Sequence, residues 1–378
     1  MNGSDFFVKL SRLSGIAAIG AVAALTLAGC AANEAPAGDA PADGGASEAP
    51  AGSAGTLGAT GASSQAAAQA ALVATFQQNN PEATVNYEST GSGTGRDNFI
   101  AGASDFIGSD RAFELDEFEG GFATCTSDSI VEIPTYISPV ALAFNLPEID
   151  TLNLDAETIA GIFAGEITQW NDEAIASQNE GVELPDLAIT PVNRSDASGT
   201  TETFVTYLAA TAPDVWTFEV GDEWPIDGTE RAQGTQGISQ VVGSSEGTIG
   251  YLDASQVPED AGQVAVGVDG EYVPYSSEAA SKLIENSDLE DGREDQDLVF
   301  SVDPASASDG AYPIALVSYL IGCAEYEDTE KAQLVKDYFT FVASEEGQQV
   351  ASDEAGSAPI SEGLREQVMG AIDAIVTE

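Results

Sequence analysis

The chain has 378 residues, with 63 Asp and Glu against 11 Lys and Arg, and its formal net charge is −52. So large a negative charge disfavours nucleic acid and anionic membrane surfaces as partners, because both repel it. The absence of histidine removes Ser-His-Asp and Cys-His catalysis and the usual histidine-containing zinc sites. The length allows about two domains of ~150 residues, and a hydrophobic content of 43% is enough to form buried cores.

The N-terminus has the pattern of a lipoprotein signal. Lys9 and Arg12 precede a short apolar run that ends in Leu-Ala-Gly-Cys at residues 27–30, which is the order of segments in a secretory signal. A transmembrane anchor is the alternative, but the run is shorter than the ~20 residues that span a bilayer. Because the ending resembles a bacterial lipobox, residues 1–29 are predicted to be the signal peptide and Cys30 the lipidated first residue.

Residues 30–55 are predicted to be the lipidated cysteine and a disordered acidic linker. The segment consists almost entirely of Ala, Gly, Pro, Glu, Asp and Ser, which offer little to bury. Contact with the membrane is therefore expected through the lipid anchor only, on the outer face of the cell membrane. The remaining cysteines, Cys125 and Cys323, predict a disulfide in an exported chain, with two separate buried thiols as the alternative.

From residue 56 onward, strand-like and helix-like stretches alternate. Helices are predicted at residues 68–76, 98–101, 155–163, 200–210, 334–342 and 364–375. Strands are predicted at residues 83–87, 106–108, 130–144, 187–193 and 248–252. This alternation indicates an α/β fold with largely parallel sheets. The acidic runs at 114–119 and 288–297 are interpreted as solvated loops, and no metal site is assigned.

Three turns rich in glycine and hydroxyl residues are the candidates for chemistry. They span residues 61–65, 91–95 and 194–200, and each lies between a predicted strand and a predicted helix. Free backbone N–H groups and the positive end of the helix dipole favour an anion at such a junction. Helix capping is the alternative for each turn taken alone. Neither a Walker loop nor a dinucleotide-binding glycine turn is present in the sequence.

Two charged residues near these turns are the other candidates. Arg194 is interpreted as a bidentate clamp on an oxyanion that Asp196 orients, with a surface salt bridge as the alternative. Asp110 is unexpected in an anion site unless the ligand carries a proton for the carboxylate to accept. Such a residue rejects fully deprotonated sulfate. The alternative role for Asp110 is capping of the turn that follows.

Together these segments resemble the phosphate-binding proteins of bacterial ABC phosphate importers, the PstS family, in their Gram-positive lipoprotein form. The resemblance covers residues 56–378 and includes the stretches 158–171 and 247–252. It implies an α/β, two-lobed periplasmic-binding-protein-like fold with two crossover hinge segments. Lobe one would comprise residues 56–135 and 307–378, and lobe two residues 136–306. The resemblance implies that phosphate is bound by Ser63, Ser64, Ser92, Asp110, Arg194, Asp196, Ser198, Gly199 and Thr200.

The implied function is an extracytoplasmic lipoprotein that captures inorganic phosphate and delivers it to the permease subunits of an ABC importer. The protein is expected to be a monomer and to need no cofactor. Three alternatives remain open: a binding protein for another tetrahedral oxyanion, a phosphatase with a serine nucleophile, and an acidic surface protein. Two features depart from the family pattern. Ser63 and Ser64 stand where the family often has Thr and Phe, and the acidity resembles that of a salt-adapted surface.

Overall fold

The computed structural model describes residues 53–378, which belong to one compact unit. The predicted signal peptide, lipidated Cys30 and nearly all of the predicted linker lie outside the described residues. The first strand begins at Ala54, two residues before the expected start of the folded part. Among the described helices, none has both the length and the apolar composition needed to cross a membrane.

Strands and helices alternate through the described part of the chain. The strands are β1 Ala54–Gly61, β2 Glu82–Glu88, β3 Phe106–Ser109, β4 Ile130–Phe144, β5 Thr151–Leu154, β6 Thr190–Arg194, β7 Glu230–Ala232, β8 Thr248–Asp253, β9 Gly262–Val268, β10 Glu271–Val273, β11 Asp288–Leu289, β12 Phe300–Ser301 and β13 Ala315–Cys323. The helices are α1 Ala66–Asn79, α2 Ser92–Ile100, α3 Ala156–Phe163, α4 Glu173–Ala176, α5 Gly199–Thr211, α6 Gly234–Ser244, α7 Ser277–Glu285, α8 Thr329–Ala343, α9 Glu345–Ala355 and α10 Glu362–Asp373.

One large sheet has the strand order β2-β1-β3-β13-β4-β8-β6-β7. Strand β9 also pairs with β4, and β5 and β10 pair with β9. The outer pairs are parallel: β1 with β2 and β3, and β6 with β7 and β8. In the middle, β13 is antiparallel to β3 and β4, and β4 is antiparallel to β8. The expectation of largely parallel sheets is therefore wrong at the centre, because the two long strands there run against their neighbours.

Strand β4 joins the two ends of this sheet. Its residues are all buried, and it pairs with β13 from Ile130 to Pro139 and with β8 from Val140 onward. The register with β13 shifts at Pro134, and such an irregularity accommodates a proline that has no N–H to donate. We refer to residues 54–139 and 307–378 as the first half and to residues 140–306 as the second half.

Each half has its own aromatic cluster. In the first half, the Phe106 ring lies 5.4 Å from those of Tyr338 and Phe339, so the predicted apolar stripe of α8 does face the sheet. In the second half, the Phe204 ring lies 4.6 Å from Tyr251 and 4.7 Å from Phe163. These large buried rings hold the helices on the sheet, since each removes much apolar surface from water.

The sequence-based element bounds differ from the observed ones at several points. The predicted cap of α3 is confirmed, because Asp155 accepts the backbone N–H of Thr158 at 2.8 Å. The strand predicted at 187–193 begins only at Thr190. The helix predicted at 98–101 begins at Ser92, so the second glycine-rich turn is itself the start of α2. Strand β13, which no prediction covered, is buried throughout.

A disulfide joins Cys125 to Cys323, as predicted. It connects a loop before β4 to the end of β13, and both cysteines lie in the first half. Closing a chain segment of this length reduces the entropy of the unfolded state, by an amount worth up to ~5 kcal/mol on the chain-entropy model. The bond therefore stabilises the first half without linking it to the second.

The acidic run at 288–297 is exposed over most of its length, as predicted, but Arg293 anchors it to the fold. Arg293 forms ion pairs with Glu132 at 3.2 Å, Asp297 at 3.0 Å and Glu290 at 2.7 Å, and it donates to the carbonyl of Phe113 at 2.9 Å. Glu132 is fully buried, and burial together with the neighbouring Asp297 raises its pKa well above the ordinary value. The run is therefore solvated along most of its length and is held against β4 by a single arginine.

Candidate functional site

The three glycine- and hydroxyl-rich turns meet between the two halves. The turn at 61–65 leads from β1 into α1, the turn at 91–95 begins α2, and the turn at 194–200 leads from β6 into α5. The first two are joined by a hydrogen bond from the N–H of Gly91 to the carbonyl of Gly61, at 2.9 Å. The second and third are joined by one from the N–H of Gly93 to the carbonyl of Ala197, at 3.2 Å.

Asp110 lies where these turns converge. Its Oδ1 accepts the hydroxyls of Ser64 at 2.5 Å and Ser318 at 2.6 Å, and its Oδ2 accepts that of Thr200 at 2.9 Å. Its own N–H donates to Ser92 Oγ at 3.1 Å. The carboxylate accepts no backbone N–H from the described residues, so the alternative of a turn cap does not hold. Asp110 is a buried acceptor surrounded by hydroxyl donors from both halves.

Arg194 is a buried cation rather than a surface residue. Only 2% of it is exposed, and it donates through Nε and Nη2 to the two carboxylate oxygens of Asp196, at 2.9 and 2.5 Å. Burial alone would raise the pKa of Asp196, but the hydrogen bonds and charge of Arg194 outweigh it and lower that pKa. Asp196 also accepts the N–H of Gly234 at 3.0 Å. The guanidinium is thus fixed in orientation, while its Nη1 has no hydrogen-bond partner among residues 53–378.

Two helices, α2 and α5, begin at the site, and the first N–H groups of a helix have no partner within the helix. Ser198 caps α5 by accepting the N–H of Thr201 at 3.3 Å, so the capping alternative holds for this residue. Gly199 begins α5 against the other half, where a Cβ would lie 2.5 Å from Asp110 Cβ and 3.0 Å from Ser92 Oγ. Glycine is required at that position because the two halves approach each other there.

Ser63 also links the two halves. Its hydroxyl lies 3.0 Å from that of Thr235 and accepts the Thr235 N–H at 3.1 Å. The Ser63 carbonyl accepts Nε2 of Gln256 at 2.9 Å. All nine sequence-predicted site residues therefore lie in one region, with Ser63, Ser64, Ser92 and Asp110 contributed by the first half and Arg194, Asp196, Ser198, Gly199 and Thr200 by the second.

Two ion pairs cross between the halves beside the site. Arg96 pairs with Asp222 at 2.7 Å, and Arg111 pairs with Glu202 at 3.1 Å. Burial raises the pKa of Glu202 despite the attraction of Arg111. Together with the hydroxyl contacts, these pairs hold the two halves in a closed arrangement.

Sequence reasoning missed several residues of the site. Ser318 lies inside β13 and follows no turn. Thr235 does follow a short strand, β7, in a turn that contains Gly234 and Gly237, but that strand was not predicted. Arg96 and Arg111 were not singled out, although basic residues are scarce in this chain. That scarcity was the available signal, since each buried arginine requires a carboxylate partner. Within the described residues, no group of three or more potential metal ligands is present.

Comparison with known proteins decides the family. Residues 46–346 match a model described as a PBP superfamily domain. The phosphate-binding protein PstS 3 of Mycobacterium leprae is 32% identical over 376 residues, which cover 97% of this chain and 100% of the relative. This chain belongs to the PstS family. PstS 3 of Mycobacterium tuberculosis, at 31% identity over 374 residues, covers 97% of this chain and is matched over its whole length.

Solved structures with low sequence identity show the same fold as this PstS family member. A high-affinity periplasmic phosphate-binding protein, solved with phosphate bound, aligns with a TM-score of 0.70 at 20% identity and covers 84% of this chain and 93% of its own. A phosphate-binding protein from Stenotrophomonas maltophilia aligns with a TM-score of 0.63 at 21% identity, covering 84% of this chain and 94% of its own. The predicted family and the periplasmic-binding-protein-like fold class are confirmed. The relatives are named as binding proteins, not as enzymes.

Proposed function

We propose that this protein captures inorganic phosphate between its two halves and delivers it to an ABC importer. The observation that carries the proposal is the convergence of hydroxyl donors, two helix N-termini and one buried guanidinium around Asp110. Membership of the PstS family and the phosphate-binding names of the relatives support the choice of phosphate. No bond need be broken for this function, because the closed, loaded protein is itself the product.

In this proposal the residues divide into donors and one acceptor. Arg194 supplies positive charge through the nitrogen that Asp196 leaves free, and Ser92 and Ser198 donate hydroxyl groups. Backbone N–H groups at the starts of α2 and α5 contribute the dipoles of the two helices. Asp110 accepts the proton of the phosphate through Oδ2, which also bonds Thr200. Ser63 and Ser64 complete the wall of the site on the first half.

Closure follows from the same contacts. The first half corresponds to lobe one, with proposed bounds 56–135 and 307–378, and the second half to lobe two, residues 136–306. The 135/136 boundary lies within β4, whose pairing changes from β13 to β8 at residue 140. We propose that β4 and the segment entering β13 are the two hinge segments, and that a bound phosphate stabilises the closed form.

The proposed location is the outer face of the cell membrane. Lipidated Cys30 would hold the folded part as a monomer on a flexible acidic linker with a reach of ~25–30 Å. That reach would let the closed protein meet the permease subunits of the transporter without a membrane-spanning helix of its own. The linker and the anchor rest on the sequence pattern described above.

A titration with phosphate and sulfate tests the binding proposal. Isothermal titration calorimetry at pH 7 should show one phosphate per chain and sulfate binding at least ~100-fold weaker, because sulfate carries no proton for Asp110 to accept. In Asp110→Asn the amide can donate to an unprotonated oxygen, so the preference for phosphate should fall by about tenfold or more. Asp353→Asn, an exposed site on α9, is the control. Absence of phosphate binding, or equal binding of sulfate by the unaltered protein, would refute the proposal.

A further inference from the structure

A row of buried, uncharged side chains leads through the first half to Asp110. The Tyr338 hydroxyl donates to Gln69 Oε1 at 2.6 Å, and Gln69 Nε2 donates to Gln65 Oε1 at 2.8 Å. Gln65 Nε2 then donates to Ser318 Oγ at 2.6 Å, and Ser318 donates to Asp110 Oδ1 at 2.6 Å. All of these side chains are buried. We call Tyr338, Gln69, Gln65 and Ser318 the relay.

The direction of the relay is set by a backbone carbonyl. Gln65 Nε2 donates at 3.1 Å to the carbonyl oxygen of Tyr319, and a carbonyl oxygen can only accept. The amide nitrogen of Gln65 must therefore face β13, and its oxygen must face Gln69. Because Ser318 accepts from Gln65 and has a single hydroxyl hydrogen, that hydrogen is left for Asp110.

Helix capping and packing do not account for Gln65. It occupies the N-cap position of α1, yet its side chain makes no capping hydrogen bond. The amide is instead buried beside Gly108 of β3, where a Cβ would lie 3.0 Å from Gln65 Oε1 and 2.3 Å from the Tyr87 hydroxyl. Burying such a polar row is costly unless every member is satisfied. An apolar core would avoid that cost, so the arrangement indicates a use for the donor at its end.

We propose that Gln65 and Ser318 are positioning residues that keep Asp110 an obligate hydrogen-bond acceptor and so set the selectivity for a protonated oxyanion. The inference rests on the proposed function and adds the residues that enforce the selectivity. Ser64 and Ser318 both donate to Oδ1, and Thr200 donates to Oδ2. A carboxylate toward which three hydroxyl donors point offers only acceptor lone pairs to a ligand. A ligand without a proton then presents lone pairs to that carboxylate and is rejected.

Reversing the relay tests its role in selectivity. Gln65→Glu keeps the size of the side chain but replaces the amide donor with a carboxylate oxygen. We expect the Ser318 hydroxyl to turn and donate to this oxygen, so that Ser318 Oγ and Asp110 Oδ1 face each other as two acceptors. Calorimetry at pH 7 should show the ratio of the sulfate Kd to the phosphate Kd falling about tenfold relative to the unaltered protein. Ser318→Ala should lower the ratio by a similar factor. Gln367→Glu, on the exposed face of α10, adds the same charge and should leave the ratio unchanged.

A conservative variant separates positioning from packing. Ser318→Thr retains the hydroxyl but adds a methyl group to a fully buried site, so it should keep the ratio within about threefold if the donor is what matters. If Ser318→Thr loses as much selectivity as Ser318→Ala, the role is one of packing and the proposal is overturned. An unchanged ratio in Gln65→Glu and Ser318→Ala, with phosphate still bound, overturns the proposal as well.

Neutron diffraction tests the relay even if the proposed function fails. Crystals exchanged into D₂O should show a deuterium between Ser318 Oγ and Asp110 Oδ1, and two deuteriums on the Gln65 nitrogen that faces Tyr319. A deuterium on Ser318 directed toward Gln65 would overturn the inference without any reference to phosphate. If the relay has the expected direction but the unaltered protein does not bind phosphate, the proposed function is refuted. The role of the relay in selectivity is then refuted as well, and only its hydrogen-bond direction stands.

Discussion

Asp110 adds a negative charge to a site that we propose binds an anion, and its surroundings explain how that charge is tolerated. Three hydroxyl groups donate to the carboxylate, and hydrogen bonds to an ionised group are stronger than those between neutral groups. The charge of Arg194 is in turn shared with Asp196. The affinity of the site must therefore come mostly from directed neutral dipoles, which bind tightly only in a site closed to water.

The burial of a second carboxylate, Asp253, predicts that the free energy of unfolding depends on pH. Its Oδ1 accepts Tyr136, the Ser255 hydroxyl and the Ser255 N–H, whereas its Oδ2 has no partner in the described part of the chain. Burial raises the pKa of Asp253 from 3.8 to about 6. The folded form therefore retains a proton that the unfolded form releases. The stability due to neutral Asp253 is complete below about pH 4 and is lost as the pH rises through about 6.

Asp253→Asn should remove this loss of stability at higher pH. The difference of about two pKa units corresponds to about 3 kcal/mol, so urea unfolding should show the variant gaining up to that much stability over the unaltered protein between pH 4 and pH 8. Asp260→Asn, at an exposed site in the same half, serves as the control. A stability difference that is the same at both pH values would contradict the burial argument.

The site residues differ in how far the sequence could predict them. Ser63, Ser92, Arg194 and Thr200 lie at junctions between strands and helices, where glycine and hydroxyl residues are visible in the chain order. Ser318 could not be found in this way, because it is one polar residue inside an apolar strand. Its hydrogen-bond partner, Asp110, lies 208 positions away in the sequence. Long-range contacts of this kind leave no local pattern.

At the scale of elements, the central strands were the least predictable part of the fold. The run at 130–144 was correctly predicted as one extended segment, but its length alone does not reveal that two different strands pair with it. That division depends on β13, which arrives from more than 170 residues later. Hydrophobic alternation predicts strands but not their partners, so the antiparallel centre of the sheet was missed.

A substitution at the start of α5 tests how closely the two halves approach each other. In Gly199→Ala the new Cβ would lie 2.5 Å from Asp110 Cβ, so the halves could not approach as closely, whereas an open form would tolerate the alanine. Calorimetry should show phosphate affinity falling by more than about tenfold, with the unfolding free energy changed by less than ~1 kcal/mol.

Gly370→Ala is the matched control for this variant. Gly370 lies inside α10, and a Cβ added there would have nothing within 4 Å of it. Alanine at this position should raise the unfolding free energy by ~1 kcal/mol through helix propensity alone. Phosphate affinity should be unaffected by Gly370→Ala. Unaltered affinity in Gly199→Ala would contradict the close approach between the halves.

At the scale of the whole molecule, four of the nine basic residues in the described part of the chain lie between the halves. Arg96, Arg111 and Arg194 lie at the site, and Arg293 holds the acidic run against the first half. With a formal net charge of −52, long-range repulsion opposes the approach of any anion. Salt reduces that repulsion, since the Debye length is only ~3 Å at 1 M. Short-range donors in the cleft then determine the affinity.

A crystal structure of the protein grown with phosphate tests the central claim most directly. We expect a single phosphate enclosed between the halves, with oxygens ~2.7–3.1 Å from Ser92, Arg194 and Thr200 and one oxygen against Asp110 Oδ2. Phosphate found only outside this cleft, or a cleft that stays free of phosphate at saturating concentration, would contradict the claim.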